Sequence, residues 1–139
     1  MEKQVIEVDE IGGTYTGTTA HGTTARGFVF VTGQIATKPE LKKPRELEDS
    51  EAAHDWGTIE EQTIQAMENV KAILEKAGSS LEHVVKRNVY LAHASDFEES
   101  YEVMERYFPS KVASTGVIAG LVLPGSRIEI DVIAVVPNP

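Results

Sequence analysis

The sequence predicts an α/β (α+β) domain in which one sheet carries two amphipathic helices on a single face, with elements in the order β-β-β-α-β-α-β-β. Two observations support this class: short β-branched runs that alternate, and two longer runs with apolar residues at helical spacing. At 139 residues the chain has the length of one domain and can bury about two-thirds of its extended surface. We therefore predict a single domain over residues 1–139.

Three strands are predicted before the first helix. Residues 3–9 alternate well enough for one strand, and Phe28–Thr32 forms another that ends at Gly33. Between them, residues 12–25 are rich in Gly and Thr and have room for a short strand; the glycines indicate backbone lying close to another group. Residues 36–57 form a long polar loop with two prolines, and loops of this length are often functional.

Both predicted helices begin with a capping-box pattern. The first starts at Thr58, with Glu61 three positions later, and ends at Gly78 as a left-handed cap. The second starts at Ser95, with Glu98 three positions later, and Pro109 ends it. The apolar stripe of the first is Met67, Val70, Leu74 and Ala77, and that of the second is Phe97, Tyr101, Met104 and Phe108.

The last strand, residues 127–136, is β-branched nearly throughout and follows a predicted strand at 112–120. Its alternation separates an apolar face from one carrying Glu129 and Asp131 beside Ile133 and Val135. A carboxylate on a rigid strand is a candidate proton-transfer group if it is buried, and it would then need partners. Because each helix has one apolar side, the other sheet face has no cover within the chain, which predicts self-association with cyclic symmetry.

Composition argues against several classes of function. The formal net charge of −9 opposes nucleic-acid binding, which needs a basic face. The chain has no cysteine and its four histidines lack metal-site spacing, so we predict no metal. His21 has two interpretations, a residue of a surface turn, which we favour, or a residue that lines a cleft. The first nine residues form neither a signal peptide nor a membrane anchor, so we expect a cytoplasmic protein that does not bind membranes.

Three stretches carry a resemblance to a known family. They are Phe28-Val-Phe-Val-Thr-Gly-Gln-Ile35, the run from Ile59 to Leu81 with Val84-Val-Lys86, and Gly125-Ser-Arg-Ile-Glu-Ile-Asp-Val-Ile-Ala134. In this order and spacing they resemble the Rid/YjgF family of reactive intermediate deaminases, also labelled L-PSP endoribonucleases, over roughly residues 12–136. The resemblance implies a chorismate-mutase-like fold assembled as a homotrimer, with a barrel core formed by the sheet faces and clefts between subunits. It also implies cofactor-independent hydrolysis of enamines and imines, such as 2-aminoacrylate, to a keto acid and ammonia.

The resemblance assigns site residues by position. Glu129 matches the acid that would position water or move the proton, and Tyr15 matches the cleft tyrosine. Thr32 and Gly33 match the hydroxyl and backbone N–H of the pocket wall. The family's carboxylate-binding arginine falls on Ser114, which we expect to donate a hydrogen bond but which offers no charged fork. Lys111 and Arg26 are candidate substitutes for that charge.

Two further residues are expected to contact the substrate. Tyr101 stands where the archetype has asparagine, and Gly116 follows Ser114 by two positions on the same predicted strand. With Ser114 changed as well, we expect a cleft shaped for an enamine or imine other than 2-aminoacrylate, such as an aminomuconate-type catabolic intermediate.

Two other functions remain open from the sequence. One is a non-catalytic trimer that binds a metabolite or a protein through the acidic loop. The other is ribonuclease activity, which the net negative charge disfavours.

Overall fold

A computed structural model describes residues 2–44 and 54–137 of the chain. Within these residues six strands form one sheet in the order β1-β2-β3-β6-β4-β5, in which only β4 and β5 run parallel. The element order and the α+β fold class are those predicted. The elements are β1 Gln4–Ile6, β2 Gly22–Ala25, β3 Phe28–Gln34, α1 Ile59–Lys76, β4 Val84–Leu91, α2 Phe97–Glu105, β5 Ala113–Ile118 and β6 Ile128–Val135.

The sixth strand, β6, lies in the middle of the sheet, antiparallel to both β3 and β4. Its pattern produces two faces, as predicted. The even-numbered positions from Ile128 to Ala134 are buried and belong to the main core with α1, which also contains Met67, Val70 and Leu74. The odd-numbered positions, including Glu129 and Asp131, are half-buried on the opposite face. The sheet therefore holds these two carboxylates away from the helices.

Helix α1 begins as predicted. The Thr58 hydroxyl accepts from the Glu61 backbone N–H at 3.1 Å, and the Glu61 carboxylate accepts from the Thr58 N–H at 3.0 Å. Gly78 follows the helix with a φ of 84°, a left-handed conformation that favours glycine. The capping box and the glycine stop are both confirmed.

The predicted start of the second helix is wrong. A 3-10 turn over Ala94–Asp96 precedes α2, and the Asp96 side chain makes no capping bond. Its carboxylate instead accepts from Arg127 Nη2 at 2.6 Å and Nε at 3.0 Å. Phe97 is 53% exposed, so it does not join the predicted apolar stripe, whereas Met104 is fully buried.

One sheet face has no cover within the described residues. Phe28 pairs with Val135 and Phe30 with Ile133, and the two phenylalanines are 41% and 43% exposed. Val5 and Val117 are similarly exposed on the same face. Exposed aromatic surface of this kind, on one face of a sheet, indicates an interaction surface.

Candidate functional site

A cavity of about 240 Å³ lies where the Gly/Thr segment, the end of β3 and the middle of β6 meet. Four of the seven predicted site residues line it: Tyr15, Thr32, Gly33 and Glu129. The remaining walls come from the Gly/Thr segment, the residues after β3 and the turn before β6; they include Thr14, Thr19, His21, Gln34, Ile35, Thr37, Val122 and Leu123.

Glu129 is the ionisable group of this cavity. Burial raises the pKa of its carboxyl above the ordinary value, and the neighbouring negative charge of Asp131 raises the pKa further. No residue in the described part of the chain forms a hydrogen bond to the Glu129 carboxylate, whereas Asp131 accepts from Asn88 Nδ2 at 2.9 Å. Glu129 is thus a partly desolvated carboxyl group facing a cavity with its oxygens available to a ligand.

Gly33 allows Glu129 to take this position. A Cβ built on Gly33 would overlap Oε2 of Glu129 and lie 2.9 Å from its Cδ. Glycine at 33 therefore lets the carboxyl group lie directly on the β3 backbone. The register between β3 and β6 shifts between Val31 and Gln34, which is the irregularity that opens this part of the sheet.

A row of polar side chains extends from Glu129 across the uncovered face of the sheet. Tyr90 on β4 lies opposite Glu129, and a hydrogen bond to Asp131 is the main reason that the pKa of Tyr90 is raised. Asn88, also on β4, is the residue paired with Asp131, and its Nδ2 donates to the Asp131 carboxylate. Asp131 therefore has the partners that a half-buried carboxylate needs, and its negative charge stays close to Glu129.

His21 lines the cavity and is 5% exposed, so the interpretation as a cleft residue is correct and the favoured surface turn is wrong. Its Nδ1 accepts from the Val8 backbone N–H at 3.0 Å, so Nε2 carries the proton and donates to the Gly12 carbonyl at 2.8 Å. Because backbone groups occupy both ring nitrogens, His21 holds the Gly/Thr segment in place and is a poor candidate for a general base.

The backbone around Thr32 completes this anchoring. The Thr32 hydroxyl donates to the Ala20 carbonyl at 2.5 Å, and its N–H donates to the His21 carbonyl at 2.9 Å. The hydroxyl proton is therefore directed at the protein, and the oxygen keeps only its capacity to accept. Within one chain Thr32 lines the cavity, and its hydroxyl oxygen can accept a hydrogen bond from a ligand but does not donate one.

The long loop is anchored at the rim of the same cavity, although residues 45–53 lie outside the described residues. At its start, Lys42 Nζ donates to the carbonyls of Asp9 and Ile11 at 2.6 and 2.7 Å. At its end, the buried indole of Trp56 donates from Nε1 to the Pro124 carbonyl at 3.0 Å. Leu123, beside this contact, lines the cavity.

The other three predicted residues lie elsewhere. Ser114 and Gly116 are on β5, the edge strand, and Ser114 is paired in register with the buried Arg87. A Cβ on Gly116 would lie 2.5 Å from the hydroxyl oxygen of Tyr101, which reaches this strand from α2. These residues face the helices, whereas Glu129 faces the uncovered side, so one chain does not bring all seven together.

Arg87 is a residue of this second group that the sequence analysis missed. Its Nε donates to Ser114 Oγ at 2.9 Å, and its Nη2 donates to Glu105 Oε1 at 2.9 Å. Its guanidinium carbon lies 4.8 Å from the centre of the Phe108 ring and 5.7 Å from that of Tyr101. The available signal was an arginine at a core-facing position of β4, in phase with Val89 and Leu91.

Of the two proposed substitutes for the missing arginine, Arg26 lies far along the sheet from Ser114, and the role of Lys111 stays a prediction. Arg26 lies in the turn between β2 and β3, which β6 and β4 separate from β5. Lys111 is exposed and precedes β5. The cation beside Ser114 is Arg87.

The fold and the cavity define an α+β sheet protein with an ionisable carboxyl group at the sheet centre. Comparisons with known proteins identify the family. The model for the family "Endoribonuclease L-PSP" matches residues 15–136, so the chain belongs to this family, whose members are also called Rid, YjgF or RutC proteins. The resemblance to the Rid/YjgF family is confirmed.

Three relatives illustrate the similarity. The chain is 41% identical over 108 residues to a RutC family protein of Pyrococcus abyssi, covering 77% of each chain. It is 35% identical over 115 residues to the mitochondrial protein MMF1 of Saccharomyces cerevisiae, covering 82% of this chain and 72% of that one. The crystal structure of E. coli TdcF with bound serine superposes with a TM-score of 0.78 at 25% identity, covering 95% of this chain and 98% of that one.

The described residues contain neither a membrane-spanning helix nor a cluster of metal-binding side chains. No described helix is long and apolar enough to cross a bilayer. No cluster of three or more His, Asp or Glu side chains among residues 2–44 and 54–137 has the arrangement of a metal site.

Proposed function

We propose that the protein is a cofactor-independent hydrolytic deaminase acting on a small enamine or imine. The observation that carries this proposal is Glu129, a carboxyl group with a raised pKa and no hydrogen bond from the described residues, lining a cavity with Tyr15. A carboxyl group of this kind keeps its proton closer to neutral pH and can give it to a bound molecule. Membership in a family that includes Rid proteins supports this class of reaction.

The reaction needs one proton transfer and one water. Glu129 gives its proton to the enamine carbon or to the imine nitrogen, which leaves an iminium carbon and a Glu129 carboxylate. That carboxylate then takes a proton from water as the water oxygen bonds to the iminium carbon. Collapse of the resulting amino alcohol releases ammonia and leaves a carbonyl product, and atoms balance without a cofactor.

The remaining cavity residues hold the substrate. The Gly33 backbone leaves space beside the Glu129 carboxyl, and the Thr32 oxygen can accept a hydrogen bond. Tyr15, whose ring packs against the cluster of Ala36, Trp56 and Leu123, forms another part of the wall. In the proposed reaction its phenol orients the substrate or water.

A homotrimer with clefts between subunits is part of this proposal. The exposed aromatic face around Phe28 and Phe30 supports self-association, because burying it removes apolar surface from water. Ser114, Tyr101 and Gly116 lie on a different face from Glu129, so a cleft between two copies is the arrangement in which both groups contact one substrate. In the proposed trimer, β5 of one subunit completes the cavity of its neighbour.

The substrate is proposed to be small and to resemble an amino acid, other than 2-aminoacrylate. The bound serine of TdcF supports a substrate that resembles an amino acid, since that protein has the same fold. Ser114 supports a substrate other than 2-aminoacrylate, because a hydroxyl cannot form the charged bidentate contact of an arginine. An aminomuconate-type intermediate remains our example. We propose that the reaction takes place in the cytoplasm, although two yeast relatives are named mitochondrial.

The proposal is tested with imines generated in situ. An amino-acid oxidase or a serine dehydratase releases imines or 2-aminoacrylate, and carbonyl formation is followed with and without the protein. We expect acceleration with at least one imine other than 2-aminoacrylate, and loss of that acceleration in Glu129→Gln. Full activity of Glu129→Gln on every substrate found would overturn the assignment of Glu129. Thermal stabilisation by keto acids without any turnover would favour a non-catalytic binding protein.

A further inference from the structure

Arg87 has more hydrogen-bonding capacity than the protein uses. Its side chain is 8% exposed, and of the five N–H donors of a guanidinium the structure engages two, with Ser114 and Glu105. Within the described part of the chain, Nη1 has no hydrogen-bond partner. Among the described residues, no Arg87 nitrogen is a fully buried side-chain atom without a partner, so the unused donors lie where water or a ligand can reach them.

Glu105 neutralises this cation only in part. Its side chain is 56% exposed, so water screens the carboxylate more strongly than the guanidinium it contacts. The rings of Phe108 and Tyr101 lie close to the guanidinium, limiting its movement and excluding water. The positive charge is therefore fixed behind β5, with Ser114 at the exposed surface of that strand.

The contact with Arg87 also determines what Ser114 can do. Because Arg87 Nε donates to Ser114 Oγ, the hydroxyl proton of Ser114 is directed away from Arg87. A hydroxyl that accepts from a cation becomes a stronger donor, since chains of hydrogen bonds polarise one another. The exposed edge of β5 thus presents a polarised donor supported by a fixed positive charge.

We propose that Arg87 and Ser114 together form a carboxylate-binding subsite at the edge of β5. The ligand carboxylate accepts from the Ser114 hydroxyl and from Arg87 Nη1, and Glu105 holds the guanidinium plane in orientation. This rests on the proposed function, because the carboxylate belongs to the substrate whose reacting atoms lie near Glu129 of a neighbouring copy. The charge that Ser114 itself lacks is supplied from the adjacent strand.

The test compares two ligands of the same shape on the intact oligomer. Pyruvate carries a carboxylate and pyruvamide a neutral amide, and their dissociation constants are measured by calorimetry for wild type, Arg87→Gln and Arg87→Lys. We expect wild type to prefer pyruvate. In Arg87→Gln, pyruvate affinity should fall roughly 10- to 100-fold while pyruvamide affinity stays unchanged. Arg87→Lys should retain part of the preference, because the charge remains while the fork is lost.

Arg106→Gln is the matched control, since Arg106 is 60% exposed and, among the described residues, its ion pair is with Glu102 one helical turn away. We expect it to bind both ligands as wild type does. A folded Arg87→Gln that keeps the pyruvate preference, an equal loss for both ligands, or a wild type without the preference would each overturn the subsite.

Two further variants keep the test decisive if Arg87→Gln does not fold. Ser114→Ala removes an exposed hydroxyl and should weaken the binding of pyruvate but not that of pyruvamide. An unchanged ratio of the two dissociation constants would overturn the role of Ser114. Glu105→Gln keeps an oxygen that can accept from Arg87 Nη2 and should keep or increase the pyruvate preference; loss of the preference would contradict the subsite. Binding is independent of turnover, so selective pyruvate binding in a protein that hydrolyses no imine would refute the proposed function and leave this subsite standing.

Discussion

The carboxyl group of Glu129 packs against the backbone of Gly33 so closely that a single added carbon at position 33 would overlap it. Gly33→Ala must therefore displace the carboxyl group or part β3 from β6. We expect turnover to fall at least about 10-fold, with a stability loss of about 1–3 kcal/mol from overpacking. Initial rates and urea unfolding check this. Gly17→Ala is the control, because a Cβ there meets no atom within 4 Å; equal activity of the two variants would contradict the contact.

Glu129 should lower the stability of the folded protein at neutral pH. Its folded-state pKa is raised above the ordinary value of 4.5, so both states hold the proton below that value and folding carries no penalty there. As pH rises through the folded pKa, the cost of the buried charge appears in full. We expect Glu129→Gln to unfold at higher urea than wild type near pH 7.5, and the difference to vanish near about pH 4. A difference independent of pH would contradict this assignment.

Asp131 should set the pH range of catalysis. Its negative charge contributes to the raised pKa of Glu129, and Asp131→Asn removes the charge while keeping an oxygen for Asn88 Nδ2. The pKa of Glu129 then falls. If Glu129 is the acid, the decline of kcat/KM at high pH should begin at lower pH in this variant. Glu75→Gln, an exposed change on α1, should leave the profile unchanged; an identical profile for Asp131→Asn would contradict the coupling.

His21 should contribute to stability and to the shape of the cavity. His21→Ala leaves the buried Val8 N–H and the Gly12 carbonyl without their partner, at a cost of about 1–3 kcal/mol for each unsatisfied group. We expect a lower Tm and a weaker response to keto acids, because the segment bearing Tyr15 loses its anchor. The exposed His93→Ala is the control. If the two variants have the same Tm, His21 does not have the anchoring role.

Phe30 should be required for assembly. Phe30→Glu places a charge in the middle of the uncovered face, where association would bury it without a partner. Light scattering after size exclusion should show monomers, and turnover should be lost with the clefts. Ile64→Glu, a similar change at a 37% exposed position of α1, should leave the oligomer intact. An intact trimer of Phe30→Glu would place the interface elsewhere.

The sequence predicted those features that depend on local pattern. Alternation along β6 separates Glu129 from the core, and the Thr58–Glu61 capping box depends on two residues three positions apart. The start of α2 was mispredicted because the predicted cap residue Ser95 lies inside a 3-10 turn, while the residue before the helix, Asp96, binds Arg127, 31 positions away. The anchoring contacts of His21 and the whole role of Arg87 were missed for the same reason: backbone groups 13 and 9 positions away bind His21, and Ser114, 27 positions away, binds Arg87.

The site was predictable only as two separate halves. Tyr15, Thr32, Gly33 and Glu129 come together in one cavity because β3 and β6 are neighbours in the sheet. The positions of Ser114, Tyr101 and Gly116 on the helix side of the β5 edge follow from strand order, which residue patterns do not determine. Whether the halves meet depends on the contact between copies, so that step remains a prediction.

The central position of β6 has a consequence for how the chain can be synthesised and cut. Phe28 pairs with Val135, and Val84 pairs with Ala134, so the strand that joins the two halves of the sheet follows both of them in the chain. Before residues 128–135 have left the ribosome, β1–β3 and β4–β5 of the nascent chain are two separate parts of the sheet, each with an unpaired strand edge. Such chains should depend on chaperones during translation, and fragments ending before Ile128 should aggregate.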